Sequence, residues 1–379
     1  MSSLALDVGG TFIKAARIEG GRVLDPVIRR PIPDFVPEGF EQGARELSPA
    51  QLDAAVFGAL ADLGVEDVAA YDVFVSGQMA GLAFVDDHGR AMANIITWQD
   101  TRHIDVDALV TSIGNEALGD LGDGLRVGSP AVTLAGRGVQ SGAYMTSLIG
   151  YVAGRIAGAR AARVHATDAG SWGLFDTRHL RWSSPTCKAL GISERVLPVV
   201  SRRVEPIASD LRVFTALGDQ QAALLGAGLK DDQVSVNLAT GCQVSVLSDE
   251  FTTAVQTRPY VDDRYLHTVT HLPAGRVLTA AVMEEFGDVS DIAWQQAAET
   301  FHMKDSIAET VTRIVEGVVD AIDRLEAAGR DVLFSGGLVQ RFAPLRAEIL
   351  ARLDNPPSRI FPGEDAALAG LAAVERQTH

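Results

Sequence analysis

The sequence predicts an α/β protein made of two halves of similar design, each folding around a mixed sheet. Three observations predict this. The stretch "LALDVGGTFIKAARIEGGRVL", starting at residue 4, reads as strand, glycine turn, strand, "EGG" turn and strand. The strand, glycine turn and strand return at 234–250 in "VSVNLATGCQVSVLSDE". In both halves an amphipathic helix then leads into a short apolar strand that ends in glycine, "DVFVSG" at 72–77 and "DVLFSGG" from 331.

The elements follow in order. "SPAQLDAAVFGALADLG" (48–64) carries Leu52, Val56, Leu60 and Leu63 on one face. Ser48 is placed to cap this helix, Pro49 fits its first position, Gln51 completes a capping box and Gly64 stops it. "GLAFVDDHGRAMANIITW" reads as a hairpin turning at His88-Gly89. In the second half, "YLHTVTHL" and "GRVLTAAVM" precede a long helix starting near Ser306. Its apolar face is Ile307, Val311, Ile314, Val318, Ile322 and Leu325, Glu309 stands in capping-box position, and Gly329 closes it. "DVLFSGGLV" is a strand opening into the helix "APLRAEILARL". The expected domains are 1–210 and 211–379, packed halves joined by a hinge without a low-complexity linker.

Bulk composition narrows the function. The chain has 379 residues, 47% hydrophobic and 22% charged, enough for full cores. A net charge of −16 argues against nucleic acid or an anionic membrane as partner, since both need clustered Lys and Arg. Two cysteines, Cys187 and Cys242, build neither a disulfide framework nor a cysteine-rich zinc site. The start "MSSLALDVGG" lacks the basic and apolar regions of a leader, and no long apolar run follows. A cytoplasmic, soluble protein is expected.

No G-x-x-x-x-G-K-[ST] loop or strand-linked G-x-G-x-x-G is present, which excludes the common nucleotide motifs. Glycine turns stand at strand ends instead: Gly9-Gly10-Thr11, Thr240-Gly241 and Gly336-Gly337. Such turns let phosphate approach backbone N–H groups, though most merely reverse a chain. Asp7, just before the first, is either an Asx-turn residue or a holder of Mg²⁺-bound waters. Lys14, one of only four lysines, is either a surface strand residue or a phosphate contact. Gln78, Trp98, Gln99, Asp100 and Arg102 combine planar polar groups with an aromatic face, a set suited to a polyhydroxylated ligand. Against that, Asp100 as a cap and Trp98 in a core are ordinary. Asp219, at the head of "DQQAALLGAG", is either a helix cap or a proton acceptor.

Assembled in order, these motifs resemble the FGGY family of carbohydrate kinases, within the actin, sugar kinase and Hsp70 superfamily. "DVGGTFIK" is similar to its first phosphate motif and "VSGQMAGLAFVDDHGRAMANIITWQDTR" to its sugar-binding signature. "TDAGSWGLFDTRHLRW" resembles the segment closing the first domain, and "GDQQAALLGAG" stands where the family has its catalytic aspartate. "VNLATGCQVSV" resembles the second phosphate motif, "LFSGGLVQRFAPLR" and "EDAALAGLAA" the adenosine region. "TWQD" and "RPYVDDRYLHTV" look most like sedoheptulokinase and xylulokinase-like members.

The resemblance implies two duplicated actin-like (ribonuclease H-like) domains with mixed five-stranded sheets and an interdomain cleft. It implies ATP and Mg²⁺ as cofactors and a small-molecule sugar as substrate, with a second copy of the chain as one available protein partner. Asp219 would be the general base and, with Asp7, would help place the metal. Gly9, Gly10, Thr11, Lys14, Thr240 and Gly241 would lie along the phosphates, and Gly336, Gly337 and Gln340 near adenosine. Gln78, Met79, Trp98, Gln99, Asp100 and Arg102 would face the sugar. The helix N-terminus after Asp219 is expected to favour its ionised form. The chain departs from the family in three ways: it is shorter between Trp98 and Asp168 and between Leu272 and Ser306, Ala80 replaces a common histidine, and Cys242 replaces a small hydroxyl residue. Two alternatives stand beside the kinase: a binding member of the same fold without turnover, and a glucokinase-like hexokinase.

Overall fold

The computed structural model describes residues 3–37, 41–102, 106–122, 124–361, 363 and 365–378. They form two compact units, one of Met1–Ala227, Thr257–Tyr265 and Asp365–His379, the other of Gly228–Gln256 and Leu266–Glu364. No helix among the described residues is long and apolar enough to cross a membrane.

In the first unit β1 (Ser3–Val8), β2 (Phe12–Glu19), β3 (Arg22–Pro31), β4 (Asp72–Gly77) and β5 (Leu217–Gly218) form a sheet in the order β5-β4-β1-β2-β3. β1 is antiparallel to β2 and parallel to β4, and β5 is parallel to β4, so the sheet is mixed. Every residue of β1 and β4 is buried, which is why both read as continuous runs rather than alternating ones. The helix α1 (Pro49–Asp62) buries Leu52, Val56, Ala59 and Leu60 in the same core. Ser48 stands at its N-cap and Pro49 at the first position, but the Ser48 side chain makes no cap bond. The turn at Gly89 (φ 76°) closes the expected hairpin, with Asp86 and Arg90 bonded across it.

A second core in this unit gathers Trp172, Phe175 and Trp182 of the "TDAGSWGLFDTRHLRW" segment. Trp172 and Trp182 lie 5.2 Å apart between ring centroids, and Phe175 meets Trp182 edge-on at 5.9 Å. Asp168 is fully buried beside them. Ser147 Oγ donates to its Oδ2 at 2.5 Å and Trp172 Nε1 to its Oδ1 at 3.4 Å. Burial without a cation pushes its pKa up to about 7, against those two bonds. The folded value thus lies above the unfolded one of about 4, so the stability it contributes is full below pH 4 and is lost as pH rises through 7. Asp168→Asn removes this titration. Thermal melts from pH 3 to 9 are expected to show little pH-dependent difference below pH 4, a relative gain for the variant that grows by up to about 1.4 kcal/mol per pH unit between pH 4 and 7, and a plateau above pH 7.

A second sheet repeats the plan. β6 (Gln233–Leu238), β7 (Gly241–Ser248), β8 (Gln256–Pro259), β9 (Tyr265–Pro273), β10 (Asp331–Ser335) and β11 (Ser358–Ile360) are ordered β8-β9-β7-β6-β10-β11. β6 is antiparallel to β7 and parallel to β10, as β1 is to β2 and β4. The sheet has six strands rather than the expected five, because "QTRP" adds β8 at its edge, where proline is tolerated. The segment "GRVLTAAVM" belongs to a helix, Gly275–Phe286, and a long helix, Asp305–Arg324, buries Ile307, Val311, Ile314, Val318 and Ile322 as expected. Its ends differ from the expectation. Lys304 holds the N-cap and has no acceptor to offer, so Glu309 lies too far along to reciprocate a capping box. Asp305 in the first turn supplies the favourable charge instead. The helix stops at Arg324, short of Gly329, where Glu326 turns left-handed at φ 53°.

Candidate active site

Three parallel strands of the first unit finish side by side, and the expected site residues Asp7, Gln78 and Asp219 stand at or just after their carboxyl ends. Asp7 of β1 pairs in register with Ser76 of β4, which pairs with Leu217 of β5; Gly77 likewise sits opposite both Val8 and Gly218. Residues 7–9, 76–78 and 217–219 therefore share one edge, about 10 Å across at ordinary strand spacing. Crevices at such an edge are the usual ligand sites of α/β sheets.

Asp7 is 8% exposed and accepts a hydrogen bond from Ser76 Oγ at 2.9 Å. Burial raises its pKa, the Ser76 bond and Lys14 oppose that, and Asp365 adds to it. Lys14 stands opposite Asp7 in the β1–β2 register, and its Nζ lies 3.2 Å from Asp365 Oδ1; Arg29 holds the other oxygen at 2.5 Å. Gln78 is buried, donating its N–H to Val8 O at 2.9 Å and Nε2 to Gly9 O at 3.3 Å, which ties it to the first glycine turn. That turn is exposed at Gly10 and Thr11, and Gly9 N bonds Phe12 O at 3.0 Å. Neither glycine has positive φ; a Cβ on Gly9 would come 3.2 Å from Phe12 O, while one on Gly10 would meet open space.

Asp219 is the first residue of the helix α2 (Asp219–Gly226), and Gly218, not Asp219, occupies the N-cap. Its Oδ1 accepts from Gln220 N at 2.8 Å. Its side chain keeps some exposure in otherwise dense surroundings. Burial and then the charge of Asp7 push its pKa up to about 6, while the Gln220 bond and Arg258 pull the other way. The expectation of a favoured ionised form is therefore corrected: desolvation and a neighbouring acid outweigh the helix N-terminus. Arg258, which also bonds Gln220, and Ser76 are the residues the sequence reading missed. Arg258 lay in the quoted "RPYVDDRYLHTV", so its signal was present without a role.

Met79 packs directly on Gly218: a Cβ there would come within 2.4 Å of its sulfur. Ala80 adopts φ 61° and donates its N–H to Ser171 Oγ at 2.9 Å. Reciprocal bonds between Leu82 and Ile96 make the hairpin that carries Gln78 and Met79 just before one arm and Trp98 at the end of the other. Trp98 is 48% exposed and Gln99 is exposed. Asp100 and Arg102 turn toward each other. Arg102 Nε lies 3.0 and 3.1 Å from the two Asp100 oxygens, and Arg45 N donates to Asp100 Oδ2 at 3.0 Å. Burial pushes the Asp100 pKa up, but these bonds outweigh it and hold the carboxyl below the usual range. Arg102 also pairs with Glu41 and, at 2.6 Å, with Glu46.

The second unit has its own convergence. Asn237 of β6 pairs in register with Ser335 of β10, so the Thr240-Gly241 and Gly336-Gly337 turns leave neighbouring strand ends. Gly336 has φ 93°, and a Cβ would fall 2.3 Å from Leu238 O, so no other residue fits. Gly275 N and Arg276 N bond the carbonyls of Ala239 and Thr240 at 3.0 and 2.9 Å, bringing a helix N-terminus to the same place. Thr240, Gly337 and Gln340 are exposed, and Asn237 Oδ1 is buried without a partner. The glycine turns and the helix N-terminus are features of an anion-accepting surface, whereas the Asn237 oxygen calls for a hydrogen-bond donor. Cys242 is buried, its thiol pushed up to about 12 by burial. Glu364, which opens the "EDAALAGLAA" motif, lies outside the described residues. Among the described residues Asp120, Asp176 and His179 form the one acidic and histidine trio within metal-ligand reach, and Arg178 and Arg181 already pair with it.

No family model matches the chain. A curated glycerol kinase of Xanthobacter autotrophicus is 26% identical over 416 residues, covering 99% of this chain and 77% of that protein. Among solved structures, the xylulose kinase from Rhodospirillum rubrum superposes with a TM-score of 0.82 at 17% identity, covering 99% of this chain and 90% of the other. The glycerol kinase of Plasmodium falciparum, solved with ADP, gives 0.81 at 13% identity over 98% of this chain and 88% of the other. With the motifs in the order of the FGGY carbohydrate kinases along both units, the chain is similar in sequence to glycerol kinases and has the actin-like ATPase fold of these sugar kinases.

Proposed function

We propose that the chain transfers the γ-phosphoryl group of ATP to a hydroxyl of a ketose or polyol, with sedoheptulose and xylulose-like sugars first among the acceptors. One observation carries this reading: Asp219, partly exposed at the carboxyl edge of the sheet, has a pKa of about 6 beside a second acid. A base titrating there is ionised at neutral pH yet basic enough to receive a proton. The sugar hydroxyl oxygen attacks the γ-phosphorus, the bond to the β–γ bridging oxygen breaks to leave ADP, and the hydroxyl proton passes to Asp219. Because the transition state of phosphoryl transfer is loose, alignment supplies most of the catalysis. Trp98 offers its exposed face to the sugar, and Gln78, Met79 and Gln99 complete the surface around it; Asp100 and Arg102 brace the segment by their mutual bonds. The turns at Gly9–Thr11 and Thr240–Gly241 take the phosphates, with Gly336, Gly337 and Gln340 near adenosine. Lys14, paired with Asp365, sets the charge balance across from Asp7.

Asp7 and Asp219 suit hydrated Mg²⁺, which takes one or two carboxylates and keeps several waters. The fit shows in the repulsion by which Asp7 raises the Asp219 pKa, a strain that a divalent cation relieves. Bound there, the ion would neutralise phosphate charge.

ADP release from purified protein across ketoses, aldoses and polyols tests the reading, and turnover on none of them would overturn it. For the best acceptor, kcat/KM is expected to be flat above pH 7 and to fall about tenfold per pH unit well below pH 6, as Asp219 takes up its proton before catalysis. A profile flat down to pH 5 would remove Asp219 as the base.

A further inference from the structure

The first unit holds a cavity of about 370 Å³, lined among others by His165, Arg202, Arg203, Asp262, Asp263 and Gln377. None of these takes part in the chemistry above. We propose that this cavity binds a small hydroxylated phosphate ester as an effector, and that His165 and Thr167 link it to the backbone carrying Asp219. The binding half stands independently of the kinase reading; the consequence for turnover rests on Asp219 as the base.

His165 is fully buried, and its Nε2 has no hydrogen-bond partner among the described residues. The bonds on the other ring nitrogen fix the tautomer. Thr167 N donates to Nδ1 at 3.2 Å, and Thr167 Oγ1 lies 2.9 Å from it. Gly218 N donates to Thr167 Oγ1 at 3.2 Å, so that hydroxyl spends its own proton on Nδ1. Nδ1 is then an acceptor only, and Nε2 carries the hydrogen. Burial keeps the ring neutral by pushing its pKa down to about 4; the Arg202 main chain opposes this without reaching hydrogen-bond geometry at Nε2. A buried N–H left unpaired costs about 1–3 kcal/mol, so the site calls for an acceptor oxygen.

The rest of the lining says which acceptor. Arg203 is exposed, and its guanidinium has no partner among the described residues. Arg202 is only loosely engaged, 3.6 Å from Asp263 and 3.4 Å from His179 O. Two guanidiniums around one N–H donor match a phosphate, which arginine binds through paired bonds. Asp262 and Asp263 would repel a bare anion but accept from hydroxyl groups, and the Gln377 amide can bond to them as well, which selects an ester over inorganic phosphate. The volume lies at the small end of ligand sites.

The link is a continuous chain of hydrogen bonds: His165 ring, Thr167 hydroxyl, Gly218 amide. Gly218 caps α2, whose first residue is Asp219. An acceptor on Nε2 polarises the ring and strengthens the Thr167 and Gly218 bonds in turn.

Isothermal titration of the full chain with glycerol 3-phosphate, inorganic phosphate and D-glycerate tests the site, with Arg203→Gln and Asp219→Asn alongside. Glycerol 3-phosphate is expected to bind best, at least about tenfold more weakly to Arg203→Gln and unchanged to Asp219→Asn. Amide exchange over residues 215–220 is expected to slow on binding. Equal binding by Arg203→Gln, or no heat from any of the three, overturns the site. D-glycerate binding as tightly as the phosphate ester overturns the ligand class, and unchanged exchange overturns the link. If no sugar is phosphorylated, the kinase reading fails while these isotherms still stand or fall by themselves.

Discussion

Asp219→Asn is expected to lower turnover on the best sugar by at least about 10²-fold, the low end of what a general base contributes, with ATP binding retained. The substitution keeps the shape of the side chain and the acceptor for Gln220 N at 2.8 Å, so α2 keeps its first-turn bond. It removes only the carboxylate to which the proposed mechanism passes the proton. The stability effect has the opposite sign, which separates catalysis from folding. The folded pKa of Asp219 is raised to about 6 against about 4 in the unfolded chain, so its contribution to stability is full below pH 4 and lost as pH rises through 6. At pH 8 the variant is therefore expected to melt above the native chain, since it carries neither the buried charge nor the repulsion from Asp7. A variant as active as the native chain would place the base elsewhere.

The reading of Asp219 also shows where sequence reasoning carries and where it stops. The strand 72–77 was legible to the residue because its two ends are marked, by Asp72 and Gly77, and all between is apolar or small. The long helix at 305–324 was legible in its buried face, since a 3.6-residue period survives whatever packs against it. Its caps were not, because a cap bond needs one acceptor at one position, and Lys304 there has none. The pKa of Asp219 went the wrong way for a related reason. The helix N-terminus is local and readable, whereas Asp7 and the desolvating wall arrive from strands far along the chain. Asp100 and Arg102 were read as free polar groups over a sugar, but Arg45 and Glu46, contributed from an earlier segment, occupy both. Within the first unit motif order marks the strand ends that meet, and long-range pairing decides what each side chain is free to do.

Gly370→Val is expected to destabilise the first unit by about 3 kcal/mol or more, and Gly370→Ala by about 1–3 kcal/mol, in thermal or denaturant melts. The reason lies in how α2 is held. Ala222 and Gly226 on α2 face Ala366 and Gly370 on the helix Ala366–Thr378, each pair one helical turn apart. A Cβ on Gly370 would fall 1.9 Å from Ala222 O, and one on Gly226 would fall 1.9 Å from Ala366 O. Both obstacles are backbone, which cannot swing aside as a side chain does, so even a methyl group must push the helices apart. Close approach of this kind is open only to glycine, and it brings Cα–H groups against carbonyl oxygens across the contact. The displacement has a functional reading as well. α2 begins at Asp219, so a shift of its axis moves the carboxyl away from the row formed with Asp7 and Ser76. Gly370→Ala, if it still folds, is therefore expected to lose turnover out of proportion to its loss of stability at the assay temperature, because misplacement by about 1 Å costs on the order of 10²-fold in an aligned reaction. Full activity in a stably folded Gly370→Ala protein would mean that the helix contact does not set the position of the base.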